Sequence, residues 1–168
     1  SEMCIRDSSD ADLSGSNLQD AYLPDSILTG VTSGNITGTP LSLPTGWTLT
    51  NGYLVGPGAD FSSADLSGMD LSGVDFSGAN LSSASLNNTN LTGSTLTGAN
   101  FTGTELSTAT LTGIVHPALS GCPSSLPTGW TCKSDTDGNG AYLFGPSVNY
   151  AGYDFGNDTT ESILLLIH

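Results

Sequence analysis

Cys122 and Cys132 flank the short stretch from Pro123 to Thr131. Thiols at this spacing can close a disulfide loop, join a metal site, or pack as two unrelated buried side chains. No His lies between them, and a metal would need more ligands than the stretch supplies. A few residues on, Asp135-Thr136-Asp137-Gly138-Asn139-Gly140 alternates oxygen donors ahead of a Gly. The first half of a calcium loop has this form, which makes Asp135, Asp137 and Asn139 candidate calcium ligands. The last place of such a loop needs a bidentate acid, and here it holds Pro146. The alternative is an elongated polar hairpin turn. Asp60, Asp65, Asp70 and Asp75 recur every five residues, as acids that could serve acid–base chemistry only if two of them met. His116 precedes Pro117 and His168 ends the sequence, and neither has a nucleophile beside it in the chain. No residue qualifies as catalytic, the protein is not expected to be an enzyme, and calcium is the single cofactor the sequence raises.

The setting of these residues is acidic and lightly charged. The 168 residues carry a net charge of -14, with Arg6 and Lys133 as the cations, and only 11% of them are charged. A surface that binds nucleic acid or an anionic membrane needs the opposite balance, so direct nucleic-acid binding is not expected. Membrane insertion is not expected either. The longest apolar run, 163–167, falls far short of the about 18 residues of a spanning helix. The acidity suits solubility, a salty exterior or imitation of DNA.

Periodicity decides for order over disorder. Residues 59–113 keep a strict period of five, as in Ala59-Asp60-Phe61-Ser62-Ser63 and Ala64-Asp65-Leu66-Ser67-Gly68. The large apolar centres are Phe61, Leu66, Leu71, Phe76, Leu81, Leu86, Leu91, Leu96, Phe101, Leu106 and Leu111. A smaller residue, usually Ala, stands two before each. Neither the helical period of 3.6 nor the strand period of 2 fits. Two residues along a strand face one way, and three require a corner. Each unit is therefore a very short strand and a bend, with Gly68, Gly73 and Gly78 suited to the bend. A chain that bends every five residues winds into a coil, whose turns satisfy their backbone groups on one another at about 4.8 Å. One unit cannot fold alone, so neighbours must supply the stability.

These units resemble the Ala-(Asp/Asn)-Leu-x-x motif of the pentapeptide-repeat family. The resemblance implies an all-β fold, a right-handed quadrilateral β-helix with four units to a turn. Residues twenty apart would then stack, with Phe61, Leu81 and Phe101 in one core ladder. It also implies that the four Asp residues lie on four different faces, as a solvated belt.

A longer repeat overlies the short one. Leu43-Pro44-Thr45-Gly46-Trp47-Thr48 returns as Leu126-Pro127-Thr128-Gly129-Trp130-Thr131, and both copies run on to Tyr-Leu-x-Gly-Pro, at Tyr53 and Tyr142. The second copy has six more residues in between. These are hairpin interludes that interrupt the solenoid. Asn51-Gly52 is the turn signal of the first. Trp47 and Trp130 either brace the ends of neighbouring blocks or stand exposed for glycan or protein contact. The counterparts of Cys122 and Cys132 in the first copy are Thr39 and Leu49, so the cysteines come and go as a pair, which points to a disulfide and an oxidising compartment.

The expected organisation is then as follows. Residues 1–8 resemble a translated sequencing adapter, which sets Cys4 and Arg6 aside. A block tail covers 11–36, an interlude 37–58, the main block 59–113, the second interlude 114–147, a new block 148–157, and an irregular tail 158–168. A chain starting and stopping inside blocks implies a piece of a longer array, with its native N-terminus missing. The expected function is a non-enzymatic structural or binding scaffold, extracellular, at the cell surface or periplasmic. Its partners would be a protein or glycan, or other copies through end-to-end association. The alternative is an acidic DNA mimic that binds DNA gyrase or another DNA-binding protein, as some pentapeptide-repeat proteins do.

Overall fold

The structure, a computed structural model, describes residues 7–115, 118–134, 140–146 and 148. Each bend is a four-residue turn. The Ala64 N–H donates to the Phe61 carbonyl (2.9 Å), and Ser63, third in the turn, has φ +61°. At the next corner Met69 donates to Leu66 (3.3 Å), and the third place goes to Gly68 at φ +73°. A type II turn demands a left-handed residue at this place, which Gly adopts freely and Ser adopts at a cost of about 1–2 kcal/mol.

Between corners the chain is straight just long enough to make one parallel bridge. Asp60 bridges Asn80 and Asn80 bridges Asn100; Asp65, Ser85 and Glu105 follow suit, as do Asp70, Asn90 and Thr110, and Asp75, Thr95 and Val115. Bridged residues stand twenty apart, so four columns run along the coil and four pentapeptides make a turn. The backbone bonds go both ways: Phe61 N–H donates to Asn80 (2.7 Å), and Asn80 N–H donates back to Ala59 (2.9 Å). The result is an all-β, β-helix-like fold with no helix among the described residues.

Side chains at the centre and small places point inward. The eleven centres from Phe61 to Leu111 are at most 2% exposed. Each burial stabilises by about 1.5–3 kcal/mol against the entropy of ordering. Ala59, Ala79, Ala84 and Ala99 fill the small places beside them. Where a hydroxyl replaces Ala it finds a carbonyl, Thr89 on Leu66 (2.8 Å) and Thr104 on Leu81 (2.6 Å), so these two buried donors are satisfied.

A hairpin, β1 (Thr48–Thr50) and β2 (Tyr53–Val55), is spliced into this coil with Asn51 and Gly52 at its tip. Thr32 bridges Asp60 across it, at a spacing of 28 instead of twenty. The surplus of eight is the length of 48–55, so the columns resume where they left off. β2 lies wedged between turns of the coil. Leu54 N–H donates to the Ser33 hydroxyl (3.0 Å), Ile36 N–H to Gly52 (3.0 Å), and the Tyr53 ring sits 6.4 Å from that of Phe61. The wedge divides the core in two, a lower cluster around Leu18, Leu23 and Leu28 and an upper one containing the eleven centres.

The second hairpin is built on the coil itself. β3 (Ala99–Asn100) and β4 (Ala118–Gly121) pair in parallel as successive turns. β5 (Thr131–Ser134) and β6 (Ala141–Phe144) form the hairpin, and β6 pairs antiparallel with β4 to give the order β3-β4-β6-β5. The coil runs further than the pentapeptide motif does. Thr37 and Ser42 still bridge Asn17 and Tyr22, and Ser125 bridges Glu105. Rungs are joined by backbone groups, which need no particular side chain, so they outlast the loss of the centre at Gly38. The start of the further block, 149–157, and the tail lie outside the described residues.

Candidate functional site

The polar residues of the coil are spent on its corners. Each carboxylate of Asp60, Asp65, Asp70 and Asp75 accepts the N–H two residues on, from Ser62 (2.9 Å), Ser67 (3.0 Å), Ser72 (3.2 Å) and Ser77 (2.9 Å). Asn80, Asn90 and Asn100 take the N–H of Ser82, Thr92 and Thr102 in the same manner. These are Asx turns, and they fix the bend that follows each bridge. Residues twenty apart add side-chain ladders: Asn80 Nδ2 donates to Asp60 (3.0 Å) and Asn90 Nδ2 to Asp70 (2.9 Å). This structural role escaped the reading of the acids as a solvated belt. Its signal is present in the sequence, as Asp or Asn followed two places later by Ser or Thr.

The Ser67 hydroxyl and then its N–H hold the Asp65 carboxyl below its ordinary value of 3.8, and Ser72 does the same for Asp70, with Asn90 a lesser help. Donors that favour the charged form make these groups steady acceptors and poor proton donors. The four acids occupy four separate columns. The coil thus presents ordered rows of hydrogen-bonding groups, and the described acids do not converge on a reacting atom.

Both tryptophans sit in one arrangement. Trp47 N–H donates to Pro44 (3.0 Å) around Gly46 at φ +83°, and Trp130 N–H donates to Pro127 (3.1 Å) around Gly129 at φ +86°. Each indole then lies on the Gly of the following Gly-Pro pair. A β-carbon on Gly56 would come 2.4 Å from Trp47, and one on Gly145 would come 2.1 Å from Trp130. Both rings are half-buried and pack on the upper core, and Trp47 also touches the lower one. The Trp-to-Gly contact was not foreseen from the sequence, although both partners recur together in the long repeat.

Cys122, just past β4, and Cys132, in β5, are joined by a disulfide with their Cα atoms 5.8 Å apart. In the first copy Leu49 packs against the lower cluster and Thr39 is exposed. Asp135, Asp137 and Asn139 lie outside the described residues, as do His116 and His168.

The description "Pentapeptide repeats" matches in eight copies, over residues 7–32, 57–78 and 75–113. The chain belongs to the pentapeptide-repeat family. This pentapeptide-repeat protein is similar to a solved structure, HetL, described as a pentapeptide repeat protein involved in heterocyst differentiation regulation from the cyanobacterium Nostoc sp. strain PCC 7120. The two are 30% identical over 67% of this chain and 48% of HetL, with a TM-score of 0.37, so this chain spans about half of HetL's length. No curated protein matches. The family is one of repeat scaffolds, and the match indicates no catalytic one.

Proposed function

We propose that this chain is a non-enzymatic binding scaffold, part of an extracytoplasmic pentapeptide-repeat array whose coil is right-handed and square in section, with Trp-braced hairpins between its blocks. The commitment of the corner carboxylates and amides to Asx turns and ladders carries this proposal, because it leaves flat, regularly spaced polar faces whose business is contact. The bond between Cys122 and Cys132 supports an oxidising compartment. Partners on this view are proteins, glycans or further copies. Trapping thiols at lysis and weighing the peptide that holds both cysteines tests the placement. A disulfide formed in the cell is the expected result, and two free thiols would overturn it.

The net charge of -14 keeps a second reading alive, an acidic mimic of DNA that engages gyrase or another DNA-binding protein. It asks for acids in line along one face, whereas the column of Asp60 continues with neutral Asn80 and Asn100. Inhibition of gyrase supercoiling by the purified chain would favour it over the scaffold.

A further inference from the structure

Among the described residues three large apolar side chains stand exposed, Tyr22 (69%), Leu41 (71%) and Ile27 (52%), all in the two lowest turns of the coil. Tyr22 and Leu41 are neighbours. Tyr22 bridges Ser42, and Leu41 N–H donates to Ala21 (2.8 Å). The fold does not ask for either of them. Eighty-three residues on, the same places hold Glu105, Thr110 and Ser124, and all three are exposed. Glu105 bridges Ser125 as Tyr22 bridges Ser42, and Ser124 N–H donates to Thr104 (2.9 Å) as Leu41 does to Ala21. The backbone thus pairs in the same way at these sites in both copies, and it accepts polar residues there. Exposed apolar area gathered at one place, where polar residues would serve the fold, marks a contact surface.

The charges around it select the occupant. Asp20 and Asp25 stand exposed at the corners on either side of Tyr22, in a chain whose cations number two. A second copy brings the same charge of -14 and is disfavoured at this acidic face. We infer that the face bearing Tyr22 and Leu41 docks a protein segment in which an apolar side chain is flanked by lysine or arginine. The partner's apolar group lies between Tyr22 and Leu41, and its cations meet Asp20 and Asp25. This face deepens the scaffold proposal and rests on it, but the state of Cys122 and Cys132 tests the compartment and says nothing of this surface.

The test uses the full chain and a dye-labelled synthetic peptide with Trp-Leu between lysines, read by fluorescence anisotropy. The Tyr22→Glu/Leu41→Ser variant installs the residues of the second copy. Its melting temperature is expected to match the wild type, since the same backbone already carries Glu and Ser, so lost binding is not lost fold. Binding is expected to weaken about tenfold, even though the added Glu raises the negative charge. The Asp20→Asn/Asp25→Asn variant is expected to weaken binding at low salt and to flatten its salt dependence. Unchanged or tighter binding by the first variant would reduce the effect to general acidity and overturn the proposal. No binding by the wild type would overturn it as well. Sedimentation that finds wild-type dimers and a monomeric variant would replace the basic partner by a second copy.

Discussion

The two hairpins do one job by different means. In both, the inner strand is anchored in the core, through Leu54 and Val55 in β2 and through Ala141, Leu143 and Phe144 in β6. The outer strands differ. β1 is tied in by Leu49, which packs against the lower cluster. β5 ends in exposed Lys133 and Ser134, and Cys132 ties it covalently to Cys122 beyond β4. The second hairpin is also six residues longer between Trp and Tyr, so closing it loses more chain entropy. A short insert is held by one leucine; a longer one with an exposed outer strand carries a cross-link.

The comparison breaks most readily at the inner strands. Leu54→Ala and Leu143→Ala are each expected to cost about 2–5 kcal/mol, as a fully buried leucine should, measured by urea unfolding. A much smaller loss at Leu143 would mean that the disulfide, and not the core, secures β6. Replacing Cys122 and Cys132 together by Ser should cost about 3 kcal/mol. Hydrogen exchange should then quicken in 118–144 and stay unchanged in 48–55. The Trp-to-Gly contacts test what the hairpins share. Gly56→Ala and Gly145→Ala each push a methyl into an indole and should cost about 1–3 kcal/mol, nearly equally, with a shift in tryptophan emission. The coil offers a contrast to both hairpins. Ser83 holds φ +60° at a corner, so Ser83→Gly should raise stability by about 0.5–1 kcal/mol without touching either hairpin's exchange. Acid gives the faintest contrast. The carboxyls of Asp7, Asp12, Asp65 and Asp70 lie below their unfolded value of 3.8, so their contribution is whole above that pH and is lost as pH falls through the lower folded values. All four belong to the coil, whose exchange should quicken there before that of 48–55.

The coil was legible because each unit states it afresh. A large centre, a small partner two places earlier and a bend at a fixed interval leave few other ways to bury Phe61 and its successors. The Asx corners were legible in principle, since Asp60 and Ser62 keep their spacing in unit after unit, but charge drew attention to Asp as surface. Two things lay beyond the pattern. Nothing beside Gly56 and Gly145 in the chain states their role, because what requires them is a ring nine residues earlier in one copy and fifteen in the other. The extent of the coil past Ile36 was hidden too, since backbone bonds carry the rungs where the centres become Ser33 and Gly38.

The splice has a consequence for direction. Eighty-three residues separate the two copies, eight of them in the first hairpin, which leaves seventy-five, or fifteen pentapeptides. Fifteen is one short of four full turns. Thr32, ahead of the first hairpin, stands in the column of Asn80, whereas its counterpart Val115 stands in the column of Thr95, one column earlier. The two hairpins therefore join the coil at neighbouring columns, one step round from each other. A ligand that holds both has to reach from one column of the coil to the next.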